Sequence, residues 1–177
     1  MAGISSRDLQ QHTAFLKQVR LFSDLSEEEM AALLDIVIVR SFKEGDTIIQ
    51  EGNLGGEMYV LQEGEVQVAR SLTLKVGRHE FEQTEKALTR LSGKEHICFG
   101  EMAMLSQDRR SASIVALTDC TTFVIERDRF EEFCKAYPGA GYHIVKQIAQ
   151  VVSDRLRKEN ENVLKLTTAL SLALVRR

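Results

Sequence analysis

Glu101 and Arg110 stand nine residues apart in FGEMAMLSQDRRSAS (99–113), with a glycine before the carboxylate and Ser-Ala-Ser after the second arginine. The segment EMAMLSQD starts with helix-forming residues and has no β-branched residue, which predicts a single helical turn after Gly100. The start of a helix offers backbone N–H groups without intrahelical acceptors and a partial positive charge, a combination that suits an anion. Gly100 lets a ligand approach the main chain closely. The planar fork of Arg110 matches phosphate oxygens, and Glu101 can accept a hydrogen bond from a hydroxyl. Together these groups describe a small molecule with a phosphate and a free hydroxyl close to each other. An ion pair between Glu101 and Arg110, bracketing a turn, uses the same residues, and residue types alone leave both readings open.

Energetics add a requirement. A charge-assisted hydrogen bond to phosphate contributes about 1.5–3 kcal/mol, and a helix end roughly 0.3–1 kcal/mol, up to about 2 when partly buried. Micromolar binding needs about 8 kcal/mol. Apolar contact with a ring or base therefore has to supply part of the rest.

The elements that must position this segment change in texture along the chain. RDLQQHTAFLKQV carries Leu9, Phe15, Leu16 and Val19 on a helical stripe. In LFSDLSEEEMAALLDI, Ser26 followed by Glu29 is a capping-box signature. From residue 36 short β-rich runs (IVIVRSF, TIIQ, EMYVLQ, EVQVAR) alternate with glycine-bearing turns at Gly45, Gly52, Gly55, Gly56 and Gly64. Such spacing predicts a barrel, sandwich or roll. SLTLKVGRHEFEQTEKALTRLSG (71–93) reads as two strand ends around a solvated, charged excursion, and SASIVALT and CTTFVIE resume the strands. DRFEEFCKAY is a short helix with Asp128 as its expected cap, stopped at Tyr137 by Pro138.

After Gly141 the chain has neither proline nor glycine. Val145, Ile148, Val152, Leu156, Val163, Leu166, Leu170 and Leu174 follow one approximate three-four seam, with RKENEN as a bend or an exposed turn. Too little sequence remains to cover so long a seam, so pairing with a second copy, a homodimer, is expected.

The cassette residues bear a family resemblance. FGEMAML followed by RRSAS resembles the phosphate-binding cassette of the cyclic nucleotide-binding domain family, which includes cAMP-dependent protein kinase regulatory subunits, cyclic nucleotide-gated channels and bacterial catabolite activator protein. LFSDLSEEEMAALL resembles that family's entry helix, SFKEGDTIIQEGNLGGEMYVLQEGEVQV its glycine-punctuated strands, and DRFEEF its second helix. The resemblance covers roughly residues 15–160. It implies an α+β, mainly β fold: an eight-stranded β-roll of the double-stranded β-helix or jelly-roll type with flanking helices. Its expected divisions are N-terminal helices over 1–35, the roll over 36–127 with its cassette at 99–113, and C-terminal helices over 128–177.

Carried over residue by residue, Glu101 would bind the ribose 2′-hydroxyl and Arg110 the cyclic phosphate. Backbone groups around Gly100, Ala103 and Ser111 would complete the shell, with Phe99, Met102 and Ala112 lining the cassette. Arg110 is the match because it precedes Ser-Ala; Arg109 stands where many members have proline. Met102 and Met104 replace branched aliphatics, as expected of tolerant core filler. The base contact is expected on the long helix, with Gln150, Asp154 and Arg155 as candidates.

The expected function is a cyclic nucleotide sensor, cAMP preferred over cGMP, that passes occupancy through its C-terminal helices to an effector. The alternatives are a degenerate roll used for dimerisation and the sensor half of a catabolite-activator-type regulator. A net charge of −3 gives the chain no bulk attraction to nucleic acid or anionic membranes, and no recognition helix follows the long helix, so DNA binding by this chain alone is not expected. The histidines (His12, His79, His96, His143) and the three widely spaced cysteines form no metal-binding pattern, so neither enzymatic activity nor a cofactor beyond the ligand is expected. Without a signal-peptide core or a bilayer-length apolar run, a cytoplasmic location is the expectation.

Overall fold

Ser26 opens α2 (Glu27–Ile36) in the manner its spacing predicts. Its hydroxyl accepts from the Glu29 N–H at 3.2 Å, and the Glu29 carboxylate accepts from the Ser26 N–H at 2.9 Å. Replacing such a cap by alanine costs about 1 kcal/mol. Met30 and Leu33, on the buried face of α2, meet Leu16 at the end of α1 (Ser6–Leu16) and Val19, Leu21 and Phe22 of the connection. The structure is a computed structural model and describes residues 6–75, 81–106 and 108–175.

Eight strands follow among the described residues: β1 (Val37–Phe42), β2 (Thr47–Ile49), β3 (Glu57–Glu63), β4 (Glu65–Lys75), β5 (Phe81–Ser92), β6 (Cys98–Phe99), β7 (Ser113–Ala116) and β8 (Cys120–Glu126). They form two antiparallel four-stranded sheets, β1-β8-β3-β6 and β2-β7-β4-β5. Period-two alternation explains why β3 and β8 read as continuous apolar runs. Met58, Val60, Phe123 and Ile125 point to the helices, whereas Tyr59, Leu61 and Val124 fill the space between the sheets with Ile49, Val66, Phe99 and Ile114. Both faces of these strands are buried, so neither face calls for polar residues.

The charged stretch at 71–93 differs from its expectation. β4 and β5 pair in one register from Glu65↔Ser92 to Lys75↔Phe81, interrupted by a single shift at Val68/Ala69. What the sequence suggested was an excursion is a long antiparallel ribbon. Arg70, Ser71 and residues 86–90 are exposed whichever face they lie on, and such exposure removes the apolar alternation that would announce strands. Residues 76–80, with His79, lie outside the described residues.

Two helices close the chain, α4 (Arg127–Ala136) and α5 (Pro138–Val175). Tyr137 ends α4, and Pro138 takes the first position of α5, where a missing N–H costs nothing. Asp128 is not the cap: Glu126 occupies that position without a side-chain hydrogen bond, and Asp128 supports α4 as a first-turn acid. α5 runs for 38 residues, about 57 Å, straight through RKENEN. Its apolar seam has two destinations. Of its members Ile148 is buried in this chain's own core beside Ala140 and Ile144, and Val152 is half-buried, while Val145 is 39% exposed and Leu156, Val163, Leu166, Leu170 and Leu174 are 60–69% exposed. No helix among the described residues is long and apolar enough to cross a membrane.

Candidate functional site

The segment between β6 and β7 forms the predicted turn of helix, α3 (Glu101–Ser106). Phe99 ends β6 stacked on Tyr59, centroids 5.4 Å apart. Gly100 takes φ +82°, a left-handed backbone that only glycine adopts without strain. A Cβ there would also meet the Arg110 Nη1 and the Glu57 carbonyl, each at 2.8 Å. Ala103 and Met104 are buried, but Met102 is 49% exposed, so only Met104 is core filler. The difference is helical phase: α3 packs one side on β3 and turns the other outward.

Glu101 and Arg110 are both buried, at 1% and 6% exposure, and each is held by a residue other than its cassette partner. The Arg110 Nη1 donates to the Glu57 carbonyl at 2.8 Å and to the Gly100 carbonyl at 3.2 Å; Nη2 donates to the Glu57 carboxylate at 2.6 Å. Its guanidinium lies 6.0 Å from the Tyr59 ring centroid. Three of the five donors of an arginine are thus engaged. The Nε–H and one Nη2 hydrogen find no acceptor among the described residues. That edge faces Gly55, where a Cβ would come within 2.6 Å of both nitrogens, so glycine keeps it uncovered.

Glu101 is met from the far end of the chain. The Arg155 Nη1, on α5, donates to Glu101 Oε1 at 2.5 Å, and Nη2 donates to the Cys98 carbonyl at 2.9 Å. Glu101 Oε2 takes no hydrogen bond from any described residue. Of the three base-contact candidates, only Arg155 reaches the cassette. Gln150 accepts from Arg20 at 3.1 Å and Asp154 pairs with Arg20 at 3.7 Å. Burial, and next the Glu101 carboxylate, push the Cys98 thiol up to about 12. Burial also raises the Tyr59 phenol, with Glu57 adding to it.

Arg109 separates from its neighbour. Its Nη1 donates to the Gly52 carbonyl at 2.7 Å, while the main chain of Arg110 exchanges bonds with Gly52 and Asn53, both at 2.9 Å. The β2–β3 connection is thereby stitched to the cassette. Ser111 is exposed and Ala112 half-buried at its rim. His12 packs edge-on against Phe123, His96 lies 5.1 Å from Phe15, and His143 lies 3.6 Å from Asp24. Among the described residues no group of three His, Cys, Asp or Glu is arranged to hold a metal.

The model of the cyclic nucleotide-binding domain matches residues 39–137. The chain belongs to that family. Human cGMP-dependent protein kinase 2 is 30% identical over 170 residues, 94% of this chain and 21% of the kinase. Thermus thermophilus catabolite activator protein superposes with a TM-score of 0.68 at 26% identity, over 84% of this chain and 63% of that one. A cyclic nucleotide-binding domain from Methylobacillus flagellatus gives 0.73 at 21% identity, over 92% and 86%, a likeness of fold. The chain spans about a fifth of the length of the kinase relatives it matches. The fold expected from the sequence, a cyclic nucleotide-binding roll with helices at both ends, is thus shown.

Sequence reasoning missed Glu57, Gly55 and Arg127. A signal for the first two was present: Gly-Gly-Glu immediately before the apolar run MYVL puts a charge and two missing side chains where a strand enters the core. In sequence the Gly55–Gly56 pair reads as a turn. Neither glycine has positive φ; a Cβ would run into the Arg110 guanidinium at Gly55 and would only touch the Arg127 side chain at Gly56.

Proposed function

We propose that this domain binds a 3′,5′-cyclic nucleotide at the cassette and acts as a regulatory module without catalysis of its own. The observation that carries the reading is the spare hydrogen-bonding capacity of two buried charges. Arg110 is fixed by Glu57 yet keeps two adjacent donors, the bidentate geometry that suits phosphate oxygens. Glu101 keeps Oε2 for a hydroxyl while Oε1 holds Arg155. Gly100, Ala103 and Ser111 supply main-chain groups around these two, and Phe99, Met102 and Ala112 border them.

Arg155 makes the same site a relay. A ligand hydroxyl on Glu101 competes with or joins the bond that ties α5 to α3, so occupancy biases the position of α5. Such a shift requires the two positions to differ in affinity for the ligand. The exposed half of α5 pairs with a second copy, and the effector reads that helix. On the base, cAMP remains the first choice from sequence. The kinase relatives are named for cGMP, and the exposed Ser111 hydroxyl can donate or accept with either base.

Isothermal titration of the chain with cAMP and cGMP in parallel tests the reading. Binding of at least one at micromolar strength, lost in Arg110→Ala with the fold retained, is expected. No heat with either up to millimolar concentration overturns it, and hydrolysis to the 5′-monophosphate overturns the non-enzymatic part.

A further inference from the structure

Arg127 is the first residue of α4, outside the cassette, yet its side chain points back into it. Its Nε donates to the Met104 carbonyl at 2.7 Å and its Nη2 to the Ala103 carbonyl at 2.5 Å. These are carbonyls of the short α3, too close to its end for a full set of intrahelical donors. The Asp108 N–H, four residues beyond Met104, turns to the Ser106 hydroxyl instead. A cation bonded to the last carbonyls also suits the negative end of the helix.

The main chain of Arg127 is tied to the other side of the site. Its N–H donates to the Gly56 carbonyl at 2.9 Å, and a Cβ on Gly56 would meet the Arg127 side chain at 3.4 Å. The preceding residue, Gly55, faces the open Nε–Nη2 edge of Arg110, and the following one, Glu57, holds the guanidinium. Three residues of one strand entry therefore lie between two arginines. One arginine belongs to the cassette. The other starts the helix that packs on α5.

We propose that Arg127 is a positioning residue that makes α3, the 55–57 segment and the first turn of α4 move as one unit, so that ligand seated on the cassette is felt in α4. The inference rests on the nucleotide-binding reading and adds to it a second connection to the C-terminal helices, independent of Arg155. Shifting α3 or the Glu57 backbone without moving α4 would strand partly buried carbonyls or the guanidinium, which is costly at low dielectric.

The test is amide hydrogen exchange on peptides covering 101–106 and 127–136, with and without saturating cAMP or cGMP, in wild type, Arg127→Gln and Arg127→Lys. In the wild type, nucleotide is expected to change exchange in both peptides. Arg127→Gln should retain the cassette change and lose the α4 change, with faster ligand-free exchange in 101–106. Arg127→Lys keeps the charge but cannot span both carbonyls, and should recover part of the α4 change. If Arg127→Gln or, should that variant not fold, Arg127→Lys shows the full wild-type α4 change, the inference is overturned even if melting falls. Nucleotide binding by wild type without any α4 change overturns it also and leaves the binding reading standing. Failure of the wild type to bind either nucleotide ends that reading, and this inference with it.

Discussion

Arg155 on α5 reaches across 54 positions of sequence to Glu101 on α3, its Nη1 2.5 Å from the carboxylate. The two ends of this pair differ in exposure, the Glu101 side chain at 2% and that of Arg155 at 46%. Glu101 therefore has more to lose. Without Arg155 its carboxylate stays desolvated with no charged partner, whereas Arg155 without Glu101 swings into water. The single variants should be unequal: Arg155→Met should destabilise by about 1–3 kcal/mol, the cost of an unsatisfied buried group. Glu101→Gln should cost less. The double variant should recover part of the Arg155→Met loss, with a coupling of about 0.5–3 kcal/mol in denaturant unfolding. Strict additivity would show that the contact carries no energy.

Glu57 does for Arg110 what Arg155 does for Glu101, but from within the roll. Glu57→Gln keeps an acceptor and the backbone carbonyl while deleting the charge that offsets a guanidinium whose side chain is only 5% exposed. A loss of roughly 1–3 kcal/mol is expected without ligand, a fall of about 2–4 °C per kcal/mol for a chain of this size. Saturating nucleotide should narrow that gap, because its phosphate restores a negative charge beside Arg110. Thermal melts of both proteins with and without cAMP or cGMP measure it. A gap that ligand leaves unchanged would place the phosphate elsewhere.

The parts of this architecture legible in the sequence were those written locally. Ser26 and Glu29 announce a cap through a spacing of three, and Gly100 through Ser113 carry the cassette in one uninterrupted segment. The α4–α5 break is local too, since Pro138 can only start a helix. Contacts made across the fold left no such mark. Glu57 and Arg127 lie 53 and 23 or 24 positions from the groups they hold. A lone charge beside an apolar run looks the same whether it faces solvent or a buried partner. Asp128 shows the opposite error: a good capping residue in the right neighbourhood, displaced because β8 runs into the helix with Glu126, two residues earlier, at the cap position. The seam of α5 was visible as a period, but the period does not say where a chain's own core ends and free surface begins.

The Cys98 thiol gives a pH signature. Its folded value lies near 12 against an ordinary 9.0, raised by burial first and by Glu101 second. Between these values the folded state holds a proton that the unfolded chain has released. Stability therefore falls as pH rises from about 9 towards 12, and is unaffected by this group below 9. Cys98→Ala should flatten that alkaline limb in urea unfolding followed from pH 8 to 10.5. The same protonated, buried thiol should resist alkylation at pH 8 under native conditions and react once the chain is unfolded.

Beyond Ser153 every residue of α5 with a described side chain is exposed, including Leu156, Val163, Leu166 and Leu170, which recur at alternating spacings of seven, three and four. That is the period of a two-helix seam, and Glu159 falls on it between Leu156 and Val163. Two copies pairing through this face would bury the leucines that the single chain leaves in water, at about 1.5–3 kcal/mol for each side chain fully covered. Sedimentation equilibrium of the wild type should give about twice the 20.0 kDa of one chain. Val163→Glu with Leu170→Glu, which place charges in the seam and touch neither the roll nor the cassette, should return it to one. Because Glu159 would face its own counterpart across a parallel pair, Glu159→Leu should tighten association. A wild type that sediments as a single chain, and a Glu159→Leu variant that does the same, would leave α5 to a different partner.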